Sequence, residues 1–194
     1  MKKLALLVLS TLLAFSATAF AQVPMRIRAT ITGLNGDALA VKTREGRDMT
    51  IQLAPDASVA VAKKATLDDL KGKYVGVTAR EQGGQMVAVE VHAIPPAAPS
   101  GHTPWDLEPG STMTNGNLDM VAQASGGSEI TAVYKDGQKK ILVRPGTPIV
   151  VFGPGSRADL KPGEFIFTIA QQQTDGRVTS ARVSVSKDGV KPPQ

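Results

Sequence analysis

Apolar and polar residues alternate along much of the chain, which is the pattern of half-buried strands. In "RIRATIT", Ile27, Ala29 and Ile31 share one face and the polar residues between them share the other. Glycine-rich turn signals such as "LNGD" and "EQGGQ" separate the similar runs "ALAVKT", "MTIQL", "YVGVTA" and "MVAVEVHA". The pattern predicts an all-β fold.

The order of strands and turns occurs twice. The motif "DLK" begins at Asp69, fourteen residues after Pro55, and again at Asp159, fourteen residues after Pro145. In each copy an aromatic-led strand, a glycine hairpin and a closing strand follow. We therefore expect two tandem small OB-like β-barrels, each with one short helical turn, joined by a Pro-rich connector. The alternative is one continuous β-sandwich.

The first residues have the features of a secretory signal peptide. Lys2 and Lys3 precede a short apolar run, and Ala19 and Ala21 fit an A-x-A site, so we expect cleavage after Ala21 and a periplasmic protein. The expected organisation has five parts: a signal peptide (1–21), a first β-barrel unit (22–94), a Pro-rich connector (95–114), a second β-barrel unit (115–187) and a disordered tail (188–194).

Composition narrows the classes of function. The chain has no cysteine, which argues against disulfides, a lipid anchor and thiolate metal sites. No apolar run reaches the length of a membrane span. The formal net charge is +5, or +3 once Lys2 and Lys3 are removed, and the basic residues are scattered rather than clustered. We therefore expect no nucleic-acid partner.

Asp69 and Asp159 occupy the same place in the two copies, where a catalytic carboxylate pair is one interpretation. The other is structural, because a short helical turn needs a side-chain acceptor for its free backbone N–H groups. We favour the structural role for both residues.

The connector contains the only tryptophan of the chain. Five prolines in "AIPPAAPSGHTPWDLEPG" predict a stiff extended tether, and residues 101–116 have the pattern of neither helix nor strand. A simple spacer gains nothing from an apolar indole in water. We expect Trp105, with Leu107 beside it, to clasp the groove between the two barrels.

Two resemblances extend this interpretation. The opening amphipathic strand, the turn before "DLK-G" and the hairpin before "AxxV" resemble an exported bacterial domain-of-unknown-function family of tandem small β-barrels. The connector pattern "HxPWDL-x-PGSTMTN" resembles proteins labelled as metal-transport components. A permease role is excluded for a mature chain without a membrane span.

A soft-metal site is the sharper alternative for the connector. His102, Trp105 and Met113 occur in an order that resembles periplasmic copper and silver chaperones, in which imidazole and thioether suit Cu(I). That family places two methionines as M-x-M, whereas here the next methionine after Met113 is Met120. His92, which shares an expected solvated face with Glu90, is a candidate ligand with His102 in a harder-metal site, because carboxylate and imidazole are acceptable zinc ligands.

The sequence lacks the motifs of common enzymes. There is no nucleophile elbow and no phosphate loop. The leading hypothesis is a non-catalytic soluble periplasmic protein that binds or scaffolds an unidentified envelope protein or small ligand. The alternatives are a soft-metal (Cu or Ag) carrier and, less favoured, an envelope hydrolase. No resident cofactor is predicted.

Overall fold

A computed structural model describes residues 24–193, which form twelve strands and almost no helix, so the predicted all-β class is confirmed. The predicted signal peptide lies outside the described residues. A helix α1 (Leu67–Leu70) and a 3-10 turn η1 (Arg157–Asp159) interrupt the strands. The strands are β1 (Pro24–Asn35), β2 (Ala38–Thr43), β3 (Asp48–Lys64), β4 (Tyr74–Gln82), β5 (Gln85–Ala93), β6 (Gly101–Pro104), β7 (Ser111–Ala124), β8 (Gly127–Tyr134), β9 (Gly137–Val143), β10 (Ile149–Pro154), β11 (Phe165–Gln172) and β12 (Val178–Val185).

Five of these strands close into a barrel. β1 pairs antiparallel with β2 and β11, β2 with β3, and β11 with β12. β12 then runs parallel to β3, from Val178 opposite Ile51 to Val185 opposite Val61, which completes the circle. Closing a sheet in this way removes the exposed edges that invite aggregation.

Both halves of the sequence contribute to this barrel. β1, β2 and β3 lie in the first half, whereas β11 and β12 come from the second. β4 and β5, which fall within the predicted first unit of residues 22–94, are not part of the barrel. The barrel takes its last two strands from the second half, because β11 pairs with β1 and β12 pairs with β3.

The remaining strands form a second curved group. β4 pairs antiparallel with β5 and β7, β7 with β8, and β8 with β9, which meets β5 at the single parallel pair Val87 and Leu142. β10 lies between the two groups, antiparallel to β3 and parallel to β5. Of the strands within the predicted second unit of residues 115–187, β7, β8 and β9 thus lie in the second group, whereas β11 and β12 lie in the barrel.

Each group of strands has its own apolar core. As the alternation predicts, Ile27, Ala29 and Ile31 of β1 are buried inside the barrel. They pack with residues of β11 and β12, including Ile166, Ala170 and Val183. The second core contains Leu70, Val75, Val77, Ala79, Ala88, Val91, Leu118, Ile130, Ile141 and Val143. Burial of these side chains is the main contribution to stability in a chain that lacks disulfides.

The two short turns place Asp69 and Asp159 at equivalent positions. Asp69 Oδ2 accepts hydrogen bonds from the backbone N–H and the hydroxyl of Thr66, both at 2.8 Å. Asp159 Oδ2 accepts from the backbone N–H of Ser156 at 2.9 Å. The hydrogen bonds from the Thr66 hydroxyl and backbone lower the pKa of Asp69. Both carboxylates thus lie in turns at the protein surface, each bonded within its own turn.

The connector and the tail differ from expectation. Residues 101–104 form strand β6 and β7 begins at Ser111, so the stretch predicted to lack secondary structure contains two paired strands. Pro104 is tolerated because β6 pairs only with β7 and is an edge strand. The tail, predicted to be frayed, packs on the barrel: Pro192 and Pro193 are buried, and Lys191 Nζ lies 3.9 Å from the Phe165 ring centroid. No helix within residues 24–193 is long and apolar enough to cross a membrane.

Candidate functional site

A cavity of about 450 Å³ lies between the closed barrel and the second group of strands, and we call it the central cavity. Small-molecule sites typically have volumes of about 300–1,000 Å³ and mostly apolar linings with a few polar groups. The apolar lining of the central cavity includes Ile94, Pro95, Trp105, Met113, Phe152, Phe167, Ile169 and Pro193. Its polar lining includes Arg26, His92, Thr103, Asn115, Arg182 and Ser184.

The outer faces of the two strand groups form the walls of the central cavity. One wall is the outside of the barrel, where Phe167 and Ile169 of β11 alternate with the buried core residues Ile166 and Ala170. The other wall is the outside of β5, β6 and β7. Ile169, with 55% of its surface exposed, lies at the edge of the space. The cavity therefore exists only because the two groups pack against each other.

His92 contributes a buried neutral imidazole to the second wall. Burial lowers its pKa from 6.5 to about 4, and its Nδ1 has no hydrogen-bond partner among the described residues. The ring covers Gly76 on the neighbouring strand, where a Cβ atom would lie 2.7 Å from His92 Nε2. The prediction that Glu90 and His92 form a solvated pair is thus wrong. The two residues share a face, but both are buried because the barrel covers that face.

Glu90 is engaged beside the central cavity rather than within it. Its carboxylate accepts a hydrogen bond of 2.9 Å from the Thr78 hydroxyl, and both side chains are buried. Thr78 in turn lies opposite Met113 in the pairing of β4 with β7. A buried carboxylate needs such a partner, because burial without a hydrogen bond costs several kcal/mol.

Trp105 follows β6 and lines one end of the central cavity, where it is partly buried. The guanidinium carbon of Arg26 lies 4.0 Å from the centroid of the indole, and that of Arg28 lies 6.0 Å away. Arg28 is also 5.5 Å from the Phe167 ring. The indole therefore stacks on the outer face of the barrel, and cation–π contacts of this kind contribute about 0.5–1 kcal/mol when partly exposed.

Asp106 pairs with the same two arginines. Its Oδ1 accepts a hydrogen bond of 2.7 Å from Arg28 Nη2, and its Oδ2 lies 3.6 Å from Arg26 Nη1. Arg28 was predicted on a polar outer face, yet only 6% of its surface is exposed. Burial alone would raise the pKa of Asp106, but the hydrogen bond and charge of Arg28, with the charge of Arg26, lower it on balance.

The next two residues contact both groups of strands. The Leu107 carbonyl accepts a hydrogen bond of 2.8 Å from Arg44 Nη1, beyond the end of β2 in the barrel. Glu108 Oε1 lies 3.5 Å from Arg80 Nε, on β4 in the second group. Leu107 does not line the central cavity beside Trp105 as the sequence suggested. The segment from Trp105 to Glu108 thus contacts both sides of the junction, and its role as a clasp stays a prediction.

The structure does not bring His102 and Met113 together. Within the antiparallel pair β6–β7, His102 lies opposite Thr114, and Thr103 lies opposite Met113. Because successive side chains of a strand point to opposite faces, His102 and Met113 are on different sides of the sheet. His102 Nδ1 lies 2.8 Å from the Thr114 hydroxyl, and its ring stacks with Tyr134.

Met113 instead shares the central cavity with His92 and Trp105. Three of the five residues predicted for a metal or clasp site therefore line one space, and His102 and Leu107 do not. Within residues 24–193, no group of three or more His, Cys, Asp or Glu side chains is arranged to hold a metal ion.

Sequence reasoning missed the barrel wall of the central cavity. Phe167, Ile169 and Arg182 were not candidates, because outward positions of a strand are expected to meet solvent. One signal was present: "FIFTIA" in β11 is apolar at nearly every position, which is typical of a strand covered on both faces. That run indicates a covered face but not what covers it.

Comparison of the chain with protein-family models, with curated protein sequences and with solved structures found no match. The resemblances described from the sequence stay predictions.

Proposed function

We propose that this chain is a non-catalytic, soluble periplasmic protein that binds a small apolar ligand in the central cavity. The observation that supports the proposal is the cavity itself, which combines a volume of about 450 Å³ with an apolar lining and a few polar groups. Those are the ordinary properties of small-molecule sites. Export to the periplasm is part of the proposal and rests on the signal-peptide pattern of residues 1–21.

The proposed architecture is a pair of OB-like barrels that have exchanged their last two strands. In the OB order the first strand lies between the second and fourth, and the third pairs with the fifth in parallel. The strands β1, β2, β3, β11 and β12 follow this order, and β7, β8, β9, β4 and β5 repeat it with one parallel pair between β9 and β5. The central cavity would then be the junction between two equivalent units.

Binding is favoured over catalysis by the chemistry of the lining. Within the described residues, the ionisable side chains that line the cavity are Arg26, His92 and Arg182. The Nδ1 atom of His92 has no hydrogen-bond partner there, so no hydroxyl or carboxylate is arranged with it as a nucleophile and base.

The test uses the neutral fluorescent probe N-phenyl-1-naphthylamine. Trp105 is the only tryptophan, so energy transfer from it reports whether the probe occupies the central cavity. Ile169 and Met120 form a matched pair, because both are exposed to the same degree, 55% and 54%, but only Ile169 lines the cavity. We expect Ile169→Gln to weaken probe binding about fivefold and Met120→Gln to leave it unchanged. Absence of probe binding by the wild-type chain would overturn the proposal.

A soft-metal carrier is the second candidate, and one observation supports it: His92 and Met113 line the same cavity, with His92 Nδ1 unpartnered among the described residues. Imidazole and thioether are suitable ligands for Cu(I) and Ag(I). Titration with Ag(I) should then quench Trp105 fluorescence at one equivalent, with loss of the response in His92→Phe but not in His102→Phe. A response that follows His102 instead would favour the site predicted from the sequence.

A further inference from the structure

The charges that line the central cavity are of one sign. Arg26 and Arg182 line it, whereas no aspartate or glutamate of residues 24–193 is among its lining residues. The nearby carboxylates are already engaged, Glu90 by Thr78 and Asp106 by Arg28. An apolar space with uncompensated positive charge attracts a negative group on its ligand.

The two arginines are not equivalent. Arg26 is stacked on Trp105 and lies 3.6 Å from the Asp106 carboxylate, so its charge is partly compensated. Arg182 has no ion pair and no side-chain hydrogen bond from its guanidinium within residues 24–193. One uncompensated guanidinium therefore remains at the cavity.

The backbone of Arg182 is held by a buried polar network. The pairing of β12 with β11 shifts register between Thr179 and Ser184, where β12 has one residue more than β11, as in a β-bulge. The Arg182 carbonyl accepts hydrogen bonds from the hydroxyls of Thr168, at 2.7 Å, and Ser180, at 2.9 Å, and the Arg182 N–H donates to Ser180 Oγ at 3.2 Å. Both hydroxyl residues are buried. Bulges change the direction of a side chain, and the hydrogen bonds with Thr168 and Ser180 hold the backbone in place here.

We propose that the central cavity binds small monoanions with an apolar body, such as a carboxylate or sulfonate on an aromatic or alkyl group, and that the Arg182 guanidinium binds the anionic group. This proposal rests on the proposed function, because it assigns a ligand class to the same cavity. The apolar body would lie against Phe152, Phe167 and Ile169. A guanidinium suits this role because its planar donors match the two oxygens of a carboxylate.

A matched pair of probes distinguishes the contribution of charge to binding from that of apolar contact. N-phenyl-1-naphthylamine is neutral, and 1-anilinonaphthalene-8-sulfonate has the same aromatic skeleton with one negative charge. We expect the wild-type chain to bind the anionic probe about tenfold more tightly than the neutral one. The preference should decrease when the ionic strength is raised from about 0.05 M to about 0.5 M. Decanoate should likewise displace the neutral probe at lower concentration than decanol.

Arg182→Gln should remove the preference for the anion, so that the anionic and neutral probes bind with about equal affinity. The matched control is Arg47→Gln, because Arg47 is also exposed and has no ion pair with another described residue, but it does not line the central cavity. Arg182→Lys should retain most of the preference, and it keeps the proposal testable if Arg182→Gln does not fold.

The outcomes separate the two proposals. Binding of the neutral probe that depends on Ile169, with no preference for the anion, would overturn the monoanion proposal and leave the proposed function intact. An equal loss of anion binding in Arg182→Gln and Arg47→Gln would also overturn it, because net charge alone would then be the cause. Failure of both probes to bind the wild-type chain would overturn both proposals.

Discussion

The interior of the closed barrel and the central cavity are made by opposite faces of the same strands. In β11, Ile166 and Ala170 pack inside the barrel, whereas Phe167 and Ile169 line the cavity. The interior is filled by branched aliphatic side chains, while the cavity keeps a space of about 450 Å³ with two arginines and a buried histidine. One face of the strand thus stabilises the fold, and the other is available for a ligand.

The largest expected effect is on the interior face. Ile166 is fully buried, so Ile166→Ala should lower the free energy of unfolding by about 2 to 5 kcal/mol through lost burial and the cavity it leaves. Ile169→Ala, three residues along the same strand, should change stability by less than about 0.5 kcal/mol. Urea unfolding of both variants measures the difference. Equal losses of stability would mean that Ile169 on the cavity face contributes as much to the fold as Ile166 inside the barrel.

The next largest effect is the pH dependence of stability that is caused by His92 on the cavity face. A histidine in an unfolded chain titrates near pH 6.5, whereas burial lowers the pKa of His92 to about 4. Between these values the unfolded chain binds a proton that the folded chain does not, so stability falls as the pH falls. From about pH 7 to about pH 5 the loss should be about 2 kcal/mol.

His92→Phe should remove most of this pH dependence, as measured by urea unfolding at both pH values. His102→Phe is the control, because burial also lowers the pKa of His102, but that imidazole is less buried. Its substitution should reduce the pH dependence less. A pH dependence that survives His92→Phe would show that the imidazole is protonated in the folded chain and that the cavity is wetter than its lining indicates.

The junction itself should respond to loss of the indole. Trp105 is only partly buried, so Trp105→Ala should cost about 1.5 kcal/mol, below the roughly 3 to 5 kcal/mol typical of a fully buried aromatic residue. Part of this loss is the stacking of Arg26 on the ring. The melting temperature measures it, and Leu107→Ala, which keeps the Arg44 hydrogen bond to a backbone carbonyl, should have a smaller effect. No change in either variant would exclude the clasp.

The interior face could be predicted from the sequence, whereas the cavity face could not. Alternation assigns Ile27, Ala29 and Ile31 to one side of β1 whatever the partner strand is. It says nothing about which later strands supply the partners of β1 and β3, so it could not indicate that β11 and β12 complete the barrel. The cavity depends on those pairings and on the packing of two outer faces, which are properties of three-dimensional assembly.

In the connector, too, the sequence predicts the burial of a single residue but not which residues meet in the fold. The expectation that Trp105 lies at a junction came from the cost of exposing an indole, which is a local argument. The pairing of His102 with Met113 came from their order along the chain, and the strand register of β6 with β7 separates them. Register depends on partners that a single segment does not specify.

The smallest expected effect concerns Gly76, which lies beneath the His92 ring that lines the central cavity. A methyl group there would lie 2.7 Å from His92 Nε2, so Gly76→Ala must push the imidazole into the cavity. Because a side chain rather than backbone has to move, we expect a loss of only about 1 kcal/mol in stability. The displaced ring should nevertheless occupy ligand space and weaken binding of N-phenyl-1-naphthylamine.

Gly33→Ala is the matched control for that substitution, because Gly33 is also in a strand and its added methyl group would meet no atom within 4 Å. It should leave probe binding unchanged. If Gly76→Ala weakened stability but not probe binding, the ring would have moved away from the ligand, and the probe would have to bind elsewhere along the walls. A loss of binding with nearly intact stability would instead show that the outer face of β4 serves the cavity and contributes little to the fold.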